Sequence, residues 1–409
     1  MFKKSAVLKN PEFLKLYLAG LTSELGSFIT DTAMMLFVFA LSNHDKSFLG
    51  ITRAIFLLCY TIGSLVGGPL GLRFNKRNIL IFSEVLRIPL ILSLMFFHDI
   101  YFVMIANGLI GLFTGIYNPS RQALINEIVP EEDIKEANSL FGTTMAVLHL
   151  GGPFIGATLY SYFHGVFQVL SLDLITYLLG IVLLFRINFT YKLSQKIILH
   201  ATKLKTTNSM LVDFIEGYRY VRSRADLSSM LLFTLMVGFC VGMLVPLLYP
   251  FVVEVLHKSE QAYGVNISLF GLGGIIGGWL SGTLNRRFKA SKLFLMGIIA
   301  EAVIMPLWIR TTDFKLNCLV IFCWGIMVFI RIPSQLNYIS AHVPKEYMTR
   351  VYSFLDLVFV VPNISAGIIV ALIGNKLSTF EILNYTSILF ILLVGVGLMT
   401  RGTRSLLSK

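Results

Sequence analysis

Long apolar stretches separated by short polar segments run along most of the chain. Most contain about 20 or more mainly apolar residues, the length that a helix needs to cross a bilayer. They lack the strict alternation of barrel strands, so they predict helices. The twelve predicted spans are residues 12–41, 48–72, 78–98, 100–118, 137–163, 167–187, 228–256, 262–284, 291–311, 315–334, 350–375 and 381–401. The expected fold class is therefore all-α integral membrane, with twelve transmembrane helices.

A long polar stretch, about residues 188–227, separates the first six spans from the last six. It is rich in Lys and Arg, and its apolar residues recur at helical spacing at Leu211, Phe214, Ile215, Tyr218 and Val221. This pattern predicts a short amphipathic helix on the cytoplasmic membrane surface. The expected domains are an N-terminal six-helix bundle at 1–187, this basic cytoplasmic linker, and a C-terminal six-helix bundle at 228–409.

The composition fits a membrane location and accounts for the charge. Hydrophobic residues make up 56% of the 409 residues and charged residues 14%, whereas soluble domains carry about 25% charged residues. The formal net charge of +12 comes from Lys and Arg that lie mostly in alternate loops and in both termini. This bias is the positive-inside pattern, so both termini are expected in the cytoplasm, with anionic lipids as partners of the cations. No nucleic-acid partner is expected.

Two short motifs occur once in each half of the chain. "GGPLGLRFNKRNIL" (Gly67–Leu80) matches "GGWLSGTLNRRFK" (Gly277–Lys289) at an offset of 210 residues. "NPSRQALINEIVPEE" (Asn118–Glu132) matches "IPSQLNYISAHVPKE" (Ile332–Glu346) at an offset of 214. We interpret both pairs as junctions or loops that follow the second and fourth spans of each half. The chain is therefore predicted to be a duplicated six-helix unit, which is typical of transporters.

The first of these motifs combines a glycine-lined helix face with a cationic end. Gly67 and Gly68 belong to a row of small residues that lets helices approach closely in lipid. The cations that follow are Arg73, Lys76 and Arg77 in the first copy, and Arg286 and Arg287 in the second. Two interpretations are open. The motif is either a gating junction between moving parts, or tight packing combined with positive-inside topology.

Several of these segments resemble those of a known transporter family. Gly68–Arg77 resembles the G-x-L-a-D-r-x-G-r-[KR] loop motif of the major facilitator superfamily. "GGPFIGA", with a kink predicted at Gly152 and Pro153, resembles the Gly-Pro motif of the family's antiporters. "NPSRQALINEIVPEEDIKEANSL" and "EGYRYVRSR" are similar to the branch of drug:proton antiporters that holds macrolide-efflux proteins and the enterobactin exporter. The resemblance implies alternating access by two related bundles in the bacterial cytoplasmic (inner) membrane.

Two positions of the loop motif differ from the family pattern. Leu72 stands in place of the family's aspartate, and Asn75 stands in place of its glycine. In the family, that aspartate helps to latch the loop against the other half, near an acidic residue early in the eleventh span. Asp356 occupies such a place. The resemblance therefore implies a latch in which Arg73 or Arg77 pairs with Asp356.

Ionisable residues inside the predicted spans are candidate transport residues, because a charge in lipid is costly. Glu24 and Asp31 are seven residues apart in the first span and project on nearly the same helix face. The resemblance implies that spans 1, 4, 7 and 10 line a central cavity. We expect the two carboxyl groups to exchange protons or to bind a cationic substrate. The alternative is an ion pair with Arg53 in the second span.

The other ionisable residues in the spans each have two open interpretations. Glu84 and Arg87 have the i, i+3 spacing of a structural salt bridge, and a role in coupling is the alternative. Asp173 and Glu301 either pair with a cation elsewhere in the chain or relay protons. His149 in the fifth span is either a packing residue or a proton carrier.

The sequence lacks the motifs of nucleotide hydrolysis and of other common enzyme chemistry. It contains no P-loop, no G-x-S-x-G motif, no Cys-x-x-Cys pair and no metal-spaced His cluster, so we expect no catalytic residue, metal or cofactor. The expected function is proton-coupled efflux of an amphipathic small molecule, such as a macrolide-like drug or a siderophore, by a functional monomer. The alternatives are a lysophospholipid or glycolipid transporter, and a receptor or scaffold that does not transport.

Overall fold

The computed structural model describes residues 7–188 and 216–408, apart from a few side chains that lie mainly in the fifth helix. The long helices of these residues are α1 (Pro11–Leu41), α2 (Lys46–Arg73), α3 (Lys76–Phe96), α4 (Ile100–Ile128), α5 (Ile134–Phe163), α6 (Phe167–Phe185), α7 (Ala225–Leu244), α8 (Glu260–Arg287), α9 (Ala290–Arg310), α10 (Phe314–His342), α11 (Lys345–Ile373) and α12 (Thr379–Met399). A short helix, α13 (Arg401–Ser408), follows them.

Within the described residues, 11 helices are long and apolar enough to cross a membrane, and each of them overlaps one predicted span. The remaining predicted span, residues 137–163, is covered by the 30 residues of α5. The prediction of an all-α integral membrane protein is therefore confirmed.

Side-chain caps explain where several helices begin. The Asn10 side-chain oxygen accepts hydrogen bonds from the backbone N–H groups of Glu12 (3.0 Å) and Phe13 (3.2 Å) at the start of α1. Asp99 caps α4 and Asp313 caps α10 in the same manner. The first N–H groups of a helix have no partner within the helix, so these caps stabilise the chosen starting points.

The seventh span continues beyond α7 through less regular turns. A 3₁₀ turn (Val245–Leu247) leads through Leu248–Pro250 into a π-helical stretch (Phe251–Val255). Two prolines, Pro246 and Pro250, lie in this part of the chain, and each lacks the N–H group that an α-helical hydrogen bond needs. The helical turns of this span therefore continue to Val255, but their backbone hydrogen bonds depart from the regular α-helical pattern.

The chain divides into two compact units. The first comprises Met1–His44 and Ile51–Lys203, and the second comprises Asp45–Gly50 and Leu204–Lys409. In the first unit, α1 packs against α5 and α6, while α3 packs against α4 and α6. In the second unit, α8 and α9 pack against α10, and α7 packs against α11 and α12. In the first unit, α6 is therefore a common neighbour of α1 and α3.

Three pairs of corresponding helices in the two halves have equal lengths and a constant spacing. α2 and α8 both contain 28 residues, α3 and α9 both contain 21, and α4 and α10 both contain 29. Each pair starts 214 positions apart. The glycine contacts have the same spacing, because Gly111 faces the carbonyl of Phe56 and Gly325 faces the carbonyl of Phe270. The glycine match at an offset of 210 is therefore one helical turn out of register with the structural repeat.

The interpretation of the second pair of repeated motifs as loops is wrong. α4 continues through Pro119 to Ile128, and α10 continues through Pro333 to His342. A membrane helix tolerates an internal proline where a neighbouring helix packs against it, and Pro119 lies against the glycine face of α2. The additional turns of α4 place Arg121 inside a helix, and Arg331 lies in α10 two residues before Pro333.

The polar stretch between α6 and α7 is described only from residue 216, and residues 216–223 are helical. Of the predicted amphipathic positions, Tyr218 and Val221 lie in this helix, and the other three lie outside the described residues. Glu216 forms an ion pair of 2.7 Å with Arg350 of α11. This contact ties the end of the stretch to the second unit.

A further contact follows directly after this helix. Arg224 donates two hydrogen bonds to the buried Asp226, of 2.9 and 2.7 Å, and they raise the pKa of the guanidinium further above its usual range. The hydroxyl of Tyr338 in α10 donates a third hydrogen bond to Asp226, of 2.7 Å. Asp226, in the first turn of α7, therefore has a structural role: it joins Arg224 to Tyr338 of α10.

Candidate functional site

Five ionisable side chains from four helices meet inside the first unit. They are Glu24 of α1, Glu84 and Arg87 of α3, Arg121 of α4 and Asp173 of α6. Glu84 interacts electrostatically with both arginines and with Glu24, and Asp173 interacts with Arg87 and Glu84. We call these five residues the ionic cluster. It brings together residues that the sequence presents in four separate spans.

Glu24 is paired closely with Arg121. The Nη1 atom of Arg121 donates to Oε1 of Glu24 at 2.7 Å, and the two side chains are 14% and 16% exposed. The guanidinium also lies over the rings of Tyr117 and Phe141, at 5.7 and 5.2 Å from their centroids. Gly20 makes room for this arrangement, because a Cβ there would lie 3.1 Å from Phe141 and 3.6 Å from Arg121.

Arg87 is buried between two aromatic rings. Its guanidinium lies 5.3 Å from the ring centroid of Tyr117 and 5.4 Å from that of Tyr177. Its Nη1 atom is 3.9 Å from Oε2 of Glu84, beyond hydrogen-bond range, and Glu84 is 0% exposed. Neither oxygen of Glu84 has a hydrogen-bond partner in normal geometry within the described residues, nor has Nε or Nη2 of Arg87. The predicted salt bridge is therefore present but loose.

The carboxyl group of Asp173 lies against α1 at Gly26, which has no side chain. A Cβ on Gly26 would collide with the carboxylate of Asp173 and with the hydroxyl of Thr176, so only glycine fits this contact. The Thr176 hydroxyl donates to the backbone oxygen of Asp173 at 2.7 Å and lies 3.4 Å from Oδ1. Thr30 is a further neighbour. Asp173 is 1% exposed and interacts electrostatically with Arg87, so it is the third buried carboxyl group of the cluster.

The ionic cluster contains three carboxyl groups and only two guanidinium groups. Removing a charge from water costs several kcal/mol unless an opposite charge compensates it, of order 3–5 kcal/mol when one partner is lost. The numbers leave one carboxyl group without a cation of its own. Because the cluster is largely buried, water does not compensate that charge. An excess negative charge of this kind is neutralised by a proton or by a cation.

The second unit holds a different arrangement at the equivalent positions. At the spacing of 214 residues, Arg87 corresponds to Glu301, and Tyr117 corresponds to Arg331. Glu301 and Arg331 form a buried ion pair in which Nε of Arg331 donates to Oε1 of Glu301. The pair contains one charge of each sign, so Glu301 has the cationic partner that the sequence left open.

Asp31 lies in a separate cleft of the first unit. Its Oδ1 atom is 3.7 Å from Nη1 of Arg53, and the side chains are 52% and 23% exposed, respectively. The cleft is open to its surroundings and has a cavity volume of about 10 Å³, and its other lining residues are Met34, Met35, Thr52, Phe56 and Asn107. The hydroxyl of Thr52 is buried and has no hydrogen-bond partner within the described residues. The ion pair with Arg53 is thus present, and it leaves half of Asp31 accessible.

The two carboxylates of α1 therefore belong to different sites. Glu24 points into the ionic cluster, whereas Asp31 points into the cleft with Arg53. The two residues share a helix face, but each pairs with a different arginine. Helical spacing alone predicts a common face and says nothing about which helix faces each residue.

The cationic end of the glycine motif is partly fixed within the first unit. Lys76 is 5% exposed and pairs with Glu127 at 2.5 Å, and Nη1 of Arg77 donates to the backbone oxygen of Ile187 at 2.7 Å. Arg73, Arg286 and Arg287 are exposed. The pairing of Arg73 or Arg77 with Asp356, which is itself exposed on α11, stays a prediction.

The glycines of the predicted gating motifs differ in their surroundings. A Cβ on Gly67 would lie 2.9 Å from the backbone of Ile116, whereas Gly68 has open space around it. Gly152, next to Pro153 in α5, lies against Phe28 of α1, where a Cβ would be 2.6 Å from that side chain. Close helix packing is therefore a property of Gly67 and Gly152. The side chain of His149 lies outside the described residues.

Sequence reasoning missed Arg121, Arg331 and the two tyrosines around Arg87. Arg121 was missed because it follows the predicted end of its span at residue 118. Arg331 lies inside the predicted span 315–334 but was not singled out as an ionisable candidate. A usable signal was present, since apolar residues continue at helical spacing after Pro119, and Leu124 and Ile125 are 0% and 1% exposed.

Comparisons with known proteins agree with this architecture. A family model described as Major Facilitator Superfamily matches residues 16–367. The Bacillus subtilis (strain 168) protein named "Uncharacterized MFS-type transporter YfmI" is 22% identical over 376 residues, which cover 87% of this chain and 89% of that relative. The similarly named YkuC of the same organism is 22% identical over 298 residues, covering 71% of this chain and 68% of YkuC.

Solved structures show the same fold. The nucleoside transporter NupG is similar with a TM-score of 0.75 at 8% identity, and the match covers 97% of this chain and 99% of that chain. A bacterial homologue of the iron transporter ferroportin in an inward-facing state has a TM-score of 0.74 at 15% identity, with the same coverage of 97% and 99%. At such low identities the likeness concerns the fold alone.

Proposed function

Since the chain belongs to the major facilitator superfamily and is a membrane transporter, we propose that it exports an amphipathic small molecule in exchange for protons. It would work by alternating access as a single chain in the bacterial cytoplasmic membrane, with both termini in the cytoplasm. A macrolide-like drug or a siderophore is the first choice of substrate, on the resemblance of its motifs to that branch of the family.

The observation that carries this proposal is the excess carboxyl group of the ionic cluster. A buried site with one negative charge too many binds a proton when no other cation is near. A change in its surroundings that exposes or stabilises the charge releases that proton. Exchange of a proton for substrate requires a site of this kind.

The cleft at Asp31 supports the substrate side of the proposal. It combines a half-exposed carboxylate with the side chains of Met34, Met35 and Phe56. A carboxylate attracts a cationic group, while thioether and aromatic surfaces accept varied apolar groups. An amphipathic molecule with an amine therefore fits the chemistry of this lining.

The glycine motif supports alternating access. The Gly67 face lets α2 pack directly against the backbone of α4, and Lys76 and Arg77 hold the end of the helix pair within the first unit. We assign the exposed cations Arg73, Arg286 and Arg287 to the contacts that change during transport.

The test uses inside-out vesicles that contain the protein and a fluorescent probe of the pH gradient. Macrolides, organic cations, siderophores and lysolipids are added in turn. One class should dissipate the gradient with the wild type and fail with Asp31→Asn, while Glu132→Gln, which changes an exposed acid outside the spans, should behave like the wild type. Dissipation by lysolipids alone would favour the lipid transporter instead, and equal activity of Asp31→Asn would remove Asp31 from the mechanism.

A further inference from the structure

We propose that the coupling proton is held jointly by Glu84 and Asp173, which share the charge of Arg87, while Glu24 and Arg121 form a pair that stays ionised. This inference rests on the proposed proton exchange and assigns its proton to two buried residues away from the substrate cleft.

The distances divide the five charges into a closed pair and an open group. Glu24 and Arg121 are 2.7 Å apart with a direct hydrogen bond, so their charges compensate each other. Arg87 is 3.9 Å from Glu84 and donates no hydrogen bond to it. One guanidinium therefore serves two carboxyl groups, Glu84 and Asp173, neither of which it binds tightly.

Unpartnered atoms identify the same two residues. Both oxygens of Glu84 and the Oδ2 atom of Asp173 are buried without a hydrogen-bond partner in the described residues. An ionised carboxylate in that position would have the hydroxyls of Ser23, Thr30 and Thr176 as its nearby donors, because Arg87 donates no hydrogen bond to Glu84. A bound proton removes the excess charge and turns one of these oxygens into a donor. Two interacting carboxyl groups then titrate as one system.

The groups that face this pair come from each helix around it. They are Glu24 of α1, Arg87 of α3, Tyr117 and Arg121 of α4, and Tyr177 of α6, together with the hydroxyls of Ser23, Thr30 and Thr176. The tyrosine rings enclose Arg87 on two sides and keep its charge beside the carboxyl groups. The positive charge is therefore fixed, and the number of protons is the quantity free to change.

The second unit provides an internal comparison. At the spacing of 214 residues that relates α3 to α9, Ile298 aligns with Glu84, and Ser387 of α12 lies 214 positions after Asp173. Neither is ionisable, and the acid of that region, Glu301, has Arg331 to itself. Proton binding by an unbalanced carboxyl pair is thus a feature of the first unit.

Infrared spectroscopy tests the proposal without substrate. Reconstituted wild-type protein near neutral pH should show the carbonyl absorption of a protonated carboxyl group in a dry environment. Labelling all aspartates with ¹³C at the side-chain carboxyl should shift part of this band, because Asp173 holds part of the proton, and leave the Glu84 part in place. The band should disappear in both Asp173→Asn and Glu84→Gln, since either change equalises the charges, and should persist in Asp31→Asn.

The outcomes separate this inference from the proposed function. A band that does not move on aspartate labelling, or no such band in the wild type, overturns the shared proton even if substrate-driven proton flux is observed. The labelled shift without any proton flux supports the site and refutes proton-coupled export. The labelling measurement uses the wild type, so it does not depend on the folding of a variant.

Discussion

Replacement of Arg121 by methionine examines the closed ion pair of the first unit. Methionine keeps an apolar side chain against Tyr117 and Phe141 but removes the cation that lies 2.7 Å from Glu24. Breaking a buried ion pair by removing one partner costs about 3–5 kcal/mol. The two side chains retain 14% and 16% exposure, so we expect the lower end, about 3 kcal/mol, which is on the order of 100-fold in the unfolding equilibrium.

The complementary change, Glu24→Gln, should cost less, about 1 kcal/mol, the usual value of one hydrogen bond. Arg121 would keep its contacts with the two rings, and Glu84 would remain as a nearby negative charge. The double variant Glu24→Gln/Arg121→Met keeps the wild-type excess of one carboxyl group, whereas Arg121→Met alone has an excess of two, so the double variant should be the more stable of the two.

Unfolding in mixed micelles of increasing SDS fraction measures these free energies, and the four proteins form a double-mutant cycle. Additive effects of the two substitutions would refute the direct pairing of Glu24 with Arg121. So would an Arg121→Met variant that is as stable as the wild type. Transport is not needed for this result, so it tests the structure independently of the proposed function.

Three further predictions concern other contacts of the two units. Gly26→Ala should lower the apparent melting temperature and abolish proton-coupled transport, because the new Cβ would collide with Asp173; Gly68→Ala, where nothing lies within 4 Å, is the matched control, and equal melting of the two variants would contradict the packing argument. Arg331→Met should destabilise the protein by about 3–5 kcal/mol in SDS unfolding, because it leaves Glu301 buried without a partner, and the additional change Glu301→Gln should recover most of the loss. Asp31→Asn should leave the melting temperature within about a degree of the wild type, since a half-exposed pair contributes about 0–1 kcal/mol, while it abolishes substrate-driven proton flux in vesicles; a large loss of stability would show that Asp31 is structural.

The sequence was sufficient for the spans because each one is set by a local property. About 20 consecutive apolar residues form a helix in lipid whatever their neighbours are. The ends of α4 and α10 were predicted too early for the same reason, since a local sign, the prolines Pro119 and Pro333, suggested a break that packing overrides. The register of the glycine motif was also predicted incorrectly, because glycines recur about once per turn and more of them match at an offset of 210 residues than at the structural spacing of 214.

The candidate site could be predicted only in part, because its partners come from different helices. Glu24, Glu84 and Asp173 were recognisable as acids in lipid, but no sequence spacing relates Glu24 to Arg121, or Asp173 to Arg87. Such pairs depend on which helix faces which, and here that is decided by small residues such as Gly20 and Gly26 that open space for a neighbour's side chain.

The two units repeat the same helix packing but differ in their buried charges. Helices α3 and α9 keep the same length, and Gly111 and Gly325 keep equivalent contacts, because packing requires them, so the backbone repeat persists there. The buried charges are not required for packing, and they differ. Where the first unit has Arg87 shared by two acids, the second has Glu301 matched by one arginine. A balanced ion pair needs no further ion to neutralise it. The protonation state of an unbalanced group, in contrast, depends on the proton concentration. For the proton exchange that we propose, the charge pattern therefore favours the first unit as the proton-binding unit, by an argument that is independent of any substrate.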